Sequence, residues 1–458
     1  MCFKPYHFII TMLTAFCLFT SCQKGADPQL SKQPLPDISE NARSSGHLIQ
    51  TKTFSAEVAT RWLNMELNMF RLPLATGTTA PAADRALAYA GITLYEAVVP
   101  GMPAYQSLGG QLNQFPLMPE TQPGKAYHWA ASANAALASI NRSLFPGTSQ
   151  ANKTLINTLE TELQNQYAAE TNAETLQRSI DFGRAVATAV FNWAATDGTA
   201  GMPASSTYVP PAGPGLWVPT TPGAFAVNAF HHMRRQMVIG SRDGAQSAAP
   251  IPYSTNPSSA FYAMGQEVYN IFINRTPEQT NTAMYHAEGS GYGGGSSMVA
   301  QLSQLLSQTS ARLDKAALVY AKAGIGTYEG LTFTFIEKYN YNVLRPITYI
   351  RNVMGYANFN TLFGTPSYPE YPAGHPTNGG ILAVMLANEF GPNLSFDFNY
   401  YDYLGRPARH YNSFEELAQE MAIARVYSGI HFKPGVDAGV LLGKRVAQNI
   451  LTKVRFLK

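Results

Sequence analysis

Five side chains and one backbone amide in the last third of the chain have the types and spacing to hold and attack an oxyanion. Lys338 and Arg345 stand seven positions apart in KYNYNVLRP, close to two helical turns, so one helix through both would aim the two cations the same way. Pro346 follows immediately. It removes an amide donor and disfavours helical geometry at Arg345, which predicts a break where the guanidinium meets its ligand. Tyr371-Pro372-Ala373-Gly374-His375-Pro376 precedes the apolar run ILAVMLANEF, which sets the Gly374 amide and His375 at a helix N-terminus, where anions are attracted. Arg425 and His431 lie six positions apart in ARVYSGIH; Gly429 is expected to end that helix and let both point inward. Three cations with free amides make a cradle for a tetrahedral oxyanion of multiple negative charge. One imidazole can then bond the central atom while the other moves a proton at the opposite oxygen.

Positioning these groups requires helices, and the sequence supplies them. From Phe54 onward apolar residues recur at three- and four-residue spacing over 56–72, 81–99, 126–145, 150–167 and 173–195, as one buried helix face demands. Further helices are expected at 297–310, 312–339, 375–390, 414–429 and 436–452, and Thr276-Pro277-Glu278-Gln279 has the form of a capped helix start. Residues 198–255 are rich in Gly, Pro, Ser and Thr and are predicted to wrap the surface or rim a pocket. Strand alternation is almost absent. The expected class is all-α, as one multi-helix bundle or two packed ones, with an N-terminal helical region at 54–255 and a C-terminal one at 256–458 that carries the site.

The three motifs Lys-x6-Arg-Pro, Pro-x-Gly-His and Arg-x3-Gly-x-His occur in this order, and together they resemble the signature of the vanadium-dependent haloperoxidase and type 2 phosphatidic acid phosphatase superfamily. TPEQ and KYNYNVLRPITYIR are similar to its soluble bacterial haloperoxidase-like branch. The resemblance implies that Lys338, Arg345, Arg425 and the Gly374 amide bind the oxygens of vanadate, or of phosphate in the same site. It implies that His431 bonds the vanadium, or attacks phosphorus, and that His375 is the acid–base partner. The implied activity is oxidation of a halide by hydrogen peroxide; the alternative is phosphoester hydrolysis through a phosphohistidine. Dimers are common among related proteins, which leaves a homodimer as one open oligomeric state.

Three positions depart from the family pattern. Ala373 and Ala424 stand where the family usually has serine, and Gly435 stands where it has an acidic residue four after the nucleophilic histidine. Asp437, two positions on, is the acid left to orient His431. Elsewhere, His231-His232 beside Arg234-Arg235 could form a metal or anion patch, but an exposed loop pair is the simpler reading. His286 and Glu288, ahead of the Gly-rich GSGYGGGSS, could line the pocket or hold an arginine.

Composition narrows the alternatives. With 458 residues, 45% apolar, 13% charged and a net charge of +3, the chain can bury large cores but lacks the basic face that nucleic-acid binding needs. Residues 1–21 pair Lys4 with a short apolar run, as in a signal peptide, and Leu-Phe-Thr-Ser-Cys resembles the lipobox of bacterial lipoproteins. The resemblance implies cleavage and lipidation at Cys22, with export to the bacterial cell envelope and membrane attachment through the lipid. Residues 22–53 are expected to form a flexible tether. All three cysteines, Cys2, Cys17 and Cys22, fall within residues 1–22, so the remainder can form neither a disulfide nor a zinc-thiolate site.

Overall fold

The computed structural model describes residues 49–71, 74–287 and 296–458. Residues 1–48, with Cys22, and Glu288 lie outside the described residues. Thirteen α-helices carry the described architecture, and its only strands are the antiparallel pair Phe396–Phe398 (β1) and Arg409–Tyr411 (β2). The class is all-α.

The first five helices are Glu57–Phe70 (α1), Ala83–Val98 (α2), Trp129–Leu144 (α3), Gln150–Ala168 (α4) and Ala173–Ala194 (α5). Polar caps set where several begin: Ser149 accepts from the amide of Asn152 at 3.1 Å and Asn172 from that of Thr175 at 2.8 Å, each satisfying an orphan first-turn donor. Residues 198–255 form no α-helix, as their Gly and Pro content dictates. Ala260–Asn274 (α6), which the apolar spacing had not singled out, precedes Pro277–Tyr285 (α7). Thr276 and Gln279 close the capping box at the start of α7. Then follow Ser297–Gln308 (α8), Leu313–Tyr341 (α9), Pro346–Asn352 (α10), Gly374–Phe390 (α11), Phe414–Tyr427 (α12) and Lys433–Lys453 (α13).

Helix α9 is central because Ala, Gly, Thr and aliphatic residues occupy every face of it, and it is buried nearly throughout. It packs against α2 on one side and α11 on another. One apolar core accordingly runs through both helical regions, from Phe54 and Trp62 to Ile450 and Phe456. Complete burial of a residue such as Leu63 contributes about 1.5–3 kcal/mol. A second cluster, with Phe261 of α6, Ile347 of α10, Val426 of α12 and Phe432 before α13, backs the elements that carry the cations. α11 and α13 cross at backbone contact: a Cβ on Gly443 would lie 2.1 Å from the carbonyl oxygen of Thr377. Residues 49–53 differ from the expected tether. The indole of Trp129 donates to the carbonyl of Ile49 at 2.7 Å and the Thr51 hydroxyl to that of Val98 at 2.7 Å, because these polar groups find buried partners on α2 and α3.

Candidate active site

Lys338 sits in the last turn of α9 and Arg345 immediately before α10. The expected single helix through both is not formed. Asn342 adopts the left-handed conformation at φ 54° and caps α9 by donating to the Lys338 carbonyl at 2.8 Å, a conformation asparagine tolerates. Pro346 forces Arg345 into extended geometry, φ −77° and ψ 152°. The bend between them is gripped by the Gly/Pro-rich segment: Trp217 donates to the Asn342 carbonyl at 2.8 Å and Leu344 to that of Gly215 at 3.0 Å. The two cations therefore converge through a break in the helix, rather than through helical repetition.

Both are sealed from solvent. The Lys338 ammonium donates to the carbonyls of Pro369 and Glu370 at 2.9 and 2.8 Å. The Arg345 guanidinium donates to the carbonyls of Tyr368 and Ile430 at 2.8 and 2.9 Å and approaches His431 Nε2 at 3.1 Å. Tyr368 places its ring 5.1 Å from the ammonium and 4.8 Å from the guanidinium, a cation–π contact with both.

Gly374 is the first residue of α11 and His375 the second, while Ala373 offers no side-chain cap. The start of α11 carries the partial positive charge of a helix N-terminus, which favours an anion. Arg425 lies in the last turn of α12 and donates to the His286 carbonyl at 2.7 Å. The helix ends at Tyr427, and Gly429 at φ +80° turns the chain so that His431 comes back to the cations. His286 itself bonds Glu420 at 2.9 Å and sets its ring 6.4 Å from that of His375.

The sequence reading missed Glu370. Its Oε1 lies 2.9 Å from His431 Nδ1 and accepts from the Phe432 amide at 3.1 Å. Glu370 sits in no spaced motif, and the only local hint was an acid next to the Tyr-Pro of the Gly-His motif. Asp437, expected to orient His431, instead pairs with Lys433 at the surface at 2.7 Å, since one helical turn on α13 places the two on the same exposed face. The pair His231-His232 is not wholly exposed either. His231 is buried and stacks on Phe335 at 5.0 Å, and neighbouring Arg234 bonds Asp84 at 2.5 Å, so these residues bind the Gly/Pro-rich segment to the core.

Positive charge is dense in the site. Among the described residues, buried Lys338 and Arg345 share one buried carboxylate, Glu370, and Arg425 is buried near Arg345. Burial, then Arg345, holds the Lys338 ammonium well below the usual lysine range, with Glu370 opposing. Burial also pushes the Glu370 carboxyl up to about 7, partly offset by Lys338 and Arg345. His431 is held well below the usual histidine range by burial and then by Arg345, Lys338, Arg425 and His375; His375 is lowered by burial, Arg425 and His286. Burial is the first cause in every case; the crowded positive charge then adds to the lowering of Lys338, His375 and His431 and opposes the rise of Glu370. An oxyanion is the group that relieves this crowding, so the donor set fits vanadate or phosphate. Among the described residues no three His, Cys, Asp or Glu converge as a cage for a metal cation.

The tautomer of His431 follows from its neighbours. A guanidinium can only donate, so the Arg345 contact requires a lone pair on Nε2. Nδ1 then carries the proton, directed at Glu370.

Residues 318–457 match the family described as the VCPO second helical-bundle domain, a span that contains Lys338, Arg345, Gly374, His375, Arg425 and His431. A crystal structure of a bacterial vanadium-dependent iodoperoxidase is similar with 25% identity and a TM-score of 0.77, covering 88% of this chain and 98% of that one. Holo and apo structures of a bacterial vanadium-dependent chloroperoxidase share the fold at TM-scores of 0.63 and 0.62, with 16% and 13% identity. Each covers 84% of this chain, and 95% and 96% of the other. No curated protein matches by sequence.

Proposed function

Because the chain belongs to the superfamily of vanadium haloperoxidases and type 2 phosphatidic acid phosphatases, we propose that it is a vanadium-dependent haloperoxidase. The observation that carries this reading is the buried cation set of Lys338, Arg345 and Arg425 whose charges act on the buried His431, with Arg345 in contact with its Nε2. Vanadate, when bound, supplies a Lewis-acidic centre that activates hydrogen peroxide toward halide. Lys338, Arg345 and Arg425 neutralise the oxyanion, and the Gly374 amide adds a dipole at the start of α11. His431 would offer its Nε2 lone pair as the ligand. His375, held neutral, would accept or return a proton at the bound oxyanion. Desolvation strengthens every one of these interactions.

Iodide is the proposed halide. It is the most readily oxidised of the series, and the similar structure at 25% identity is of an iodoperoxidase. The test strips the purified full chain of bound oxyanion, then assays iodide, bromide and chloride oxidation by peroxide, and phosphoester hydrolysis, each with and without vanadate. Vanadate-dependent iodide oxidation is expected. Hydrolysis that vanadate inhibits, with no halide oxidation, would replace this reading by the phosphatase one. The leader at 1–21 and Cys22 support a lipid-anchored enzyme of the cell envelope, which fatty-acid labelling abolished by Cys22→Ser would establish.

A further inference from the structure

We propose that Glu370 is the positioning residue of His431, and that Gly435 is the space which houses it. Four observations converge. The Glu370 carboxylate accepts from both Nδ1 of His431 and the Phe432 amide, so one oxygen fixes the imidazole and the backbone that carries it. Glu370 borders a small cavity whose lining includes the apolar side chains of Pro250, Ile251, Phe261, Met264 and Phe432, which offer it no competing donor. Its own backbone is pinned, with the Glu370 amide donating to the Val343 carbonyl at 2.9 Å and the Glu370 carbonyl accepting from Lys338 at 2.8 Å. Finally, a Cβ on Gly435 would lie 2.3 Å from Glu370 Oε1, 2.8 Å from Oε2 and 2.9 Å from the carboxyl carbon. No side chain at 435 can coexist with the carboxylate where it stands.

These distances make positions 370 and 435 one device. An acid reaching His431 from the segment before α11 requires a bare backbone in the first turn of α13. The result is a histidine whose Nδ1 proton is tied down and whose Nε2 lone pair faces Arg345 and the cradle. Asp437 takes no part, being turned to Lys433.

The inference rests on the cradle binding vanadate, yet it is tested partly without it. In the unloaded protein, nitrogen-15 NMR of His431 is expected to show one tautomer, protonated at Nδ1. Glu370→Gln keeps an oxygen that can accept from Nδ1 and the Phe432 amide, so the tautomer and most of the vanadate affinity should survive. Glu370→Ala should give mixed tautomers and a loss of affinity of about 10- to 100-fold, read by equilibrium binding with folding checked by circular dichroism. Gly435→Ala should match that loss when Glu370 is present and add almost nothing to Glu370→Ala. A single unchanged tautomer in folded Glu370→Ala, or strictly additive losses in the double variant, overturns the proposal. A protein that binds vanadate as expected but oxidises no halide sinks the haloperoxidase reading alone.

Discussion

Two buried glutamates occupy opposite kinds of surroundings in this molecule. Glu66 on α1 lies within the large helical core beside Asn141 of α3 and Tyr320 of α9, and among the described residues its oxygens close no well-formed hydrogen bond. Burial alone pushes its carboxyl up to about 8, with Tyr320 and Asn141 only moderating the rise. Glu370 is equally sealed, but Lys338 and Arg345 hold it at about 7, and its oxygen is engaged by His431 and Phe432. Desolvation is common to both. What separates a dormant buried acid from a working one is directed partners, because a hydrogen bond fixes geometry while burial only raises energy.

The sharpest break of this contrast removes a cation from the second site. Arg345→Ala should lower kcat/KM for vanadate-dependent halide oxidation by about a thousandfold, in line with loss of one donor to a reacting oxyanion; a drop under tenfold would show that the guanidinium is only structural. Next in size is the stability conferred by a protonated Glu66. Below pH 4.5 the group is protonated whether folded or unfolded. Between 4.5 and about 8 the unfolded chain releases the proton while the folded chain keeps it, so stability falls as pH rises. By pH 7 that loss reaches roughly 3 kcal/mol, and denaturant titrations at pH 4.5 and 7 should show that Glu66→Gln lacks it. An equal pH slope in the two proteins would disprove the assignment.

Packing variants sharpen the same comparison. A Cβ on Gly91 would lie 2.5 Å from the Tyr320 carbonyl beside the first acid, as one on Gly443 would lie 2.1 Å from the Thr377 carbonyl on α11. Gly91→Ala and Gly443→Ala should each destabilise by about 1–3 kcal/mol in thermal melts, but only Gly443→Ala should also weaken vanadate binding. The smallest effect belongs to Asp437→Ala. An exposed pair with Lys433 is worth about 0–1 kcal/mol, and vanadate affinity should change less than twofold; a larger change would return Asp437 to the site.

Much of this was legible in the chain. The helices of the N-terminal region follow apolar periodicity, and the central role of α9 follows from small and apolar residues on all its faces. Lys338, Arg345, His375, Arg425 and His431 stood in recognisable spacings. Their convergence was partly misread: seven residues suggested two turns of one helix, whereas Asn342 and Pro346 divide the segment into a helix end, an extended link and a new helix. Helix α6 was missed because its aromatic residues sit half-exposed around the helix and blur a single buried stripe.

Residue types and local geometry determined that this chain would build helices, end one just before Gly429 and begin another at Gly374, with cations and imidazoles near those ends. Such information is local, since capping, proline geometry and periodicity act over a few residues. Which carboxylate faces His431 was decided only by the tertiary structure. Glu370 lies 61 positions away along the chain and reaches the imidazole because Gly435 leaves its place empty, a choice set by volume and hydrogen bonding between distant segments.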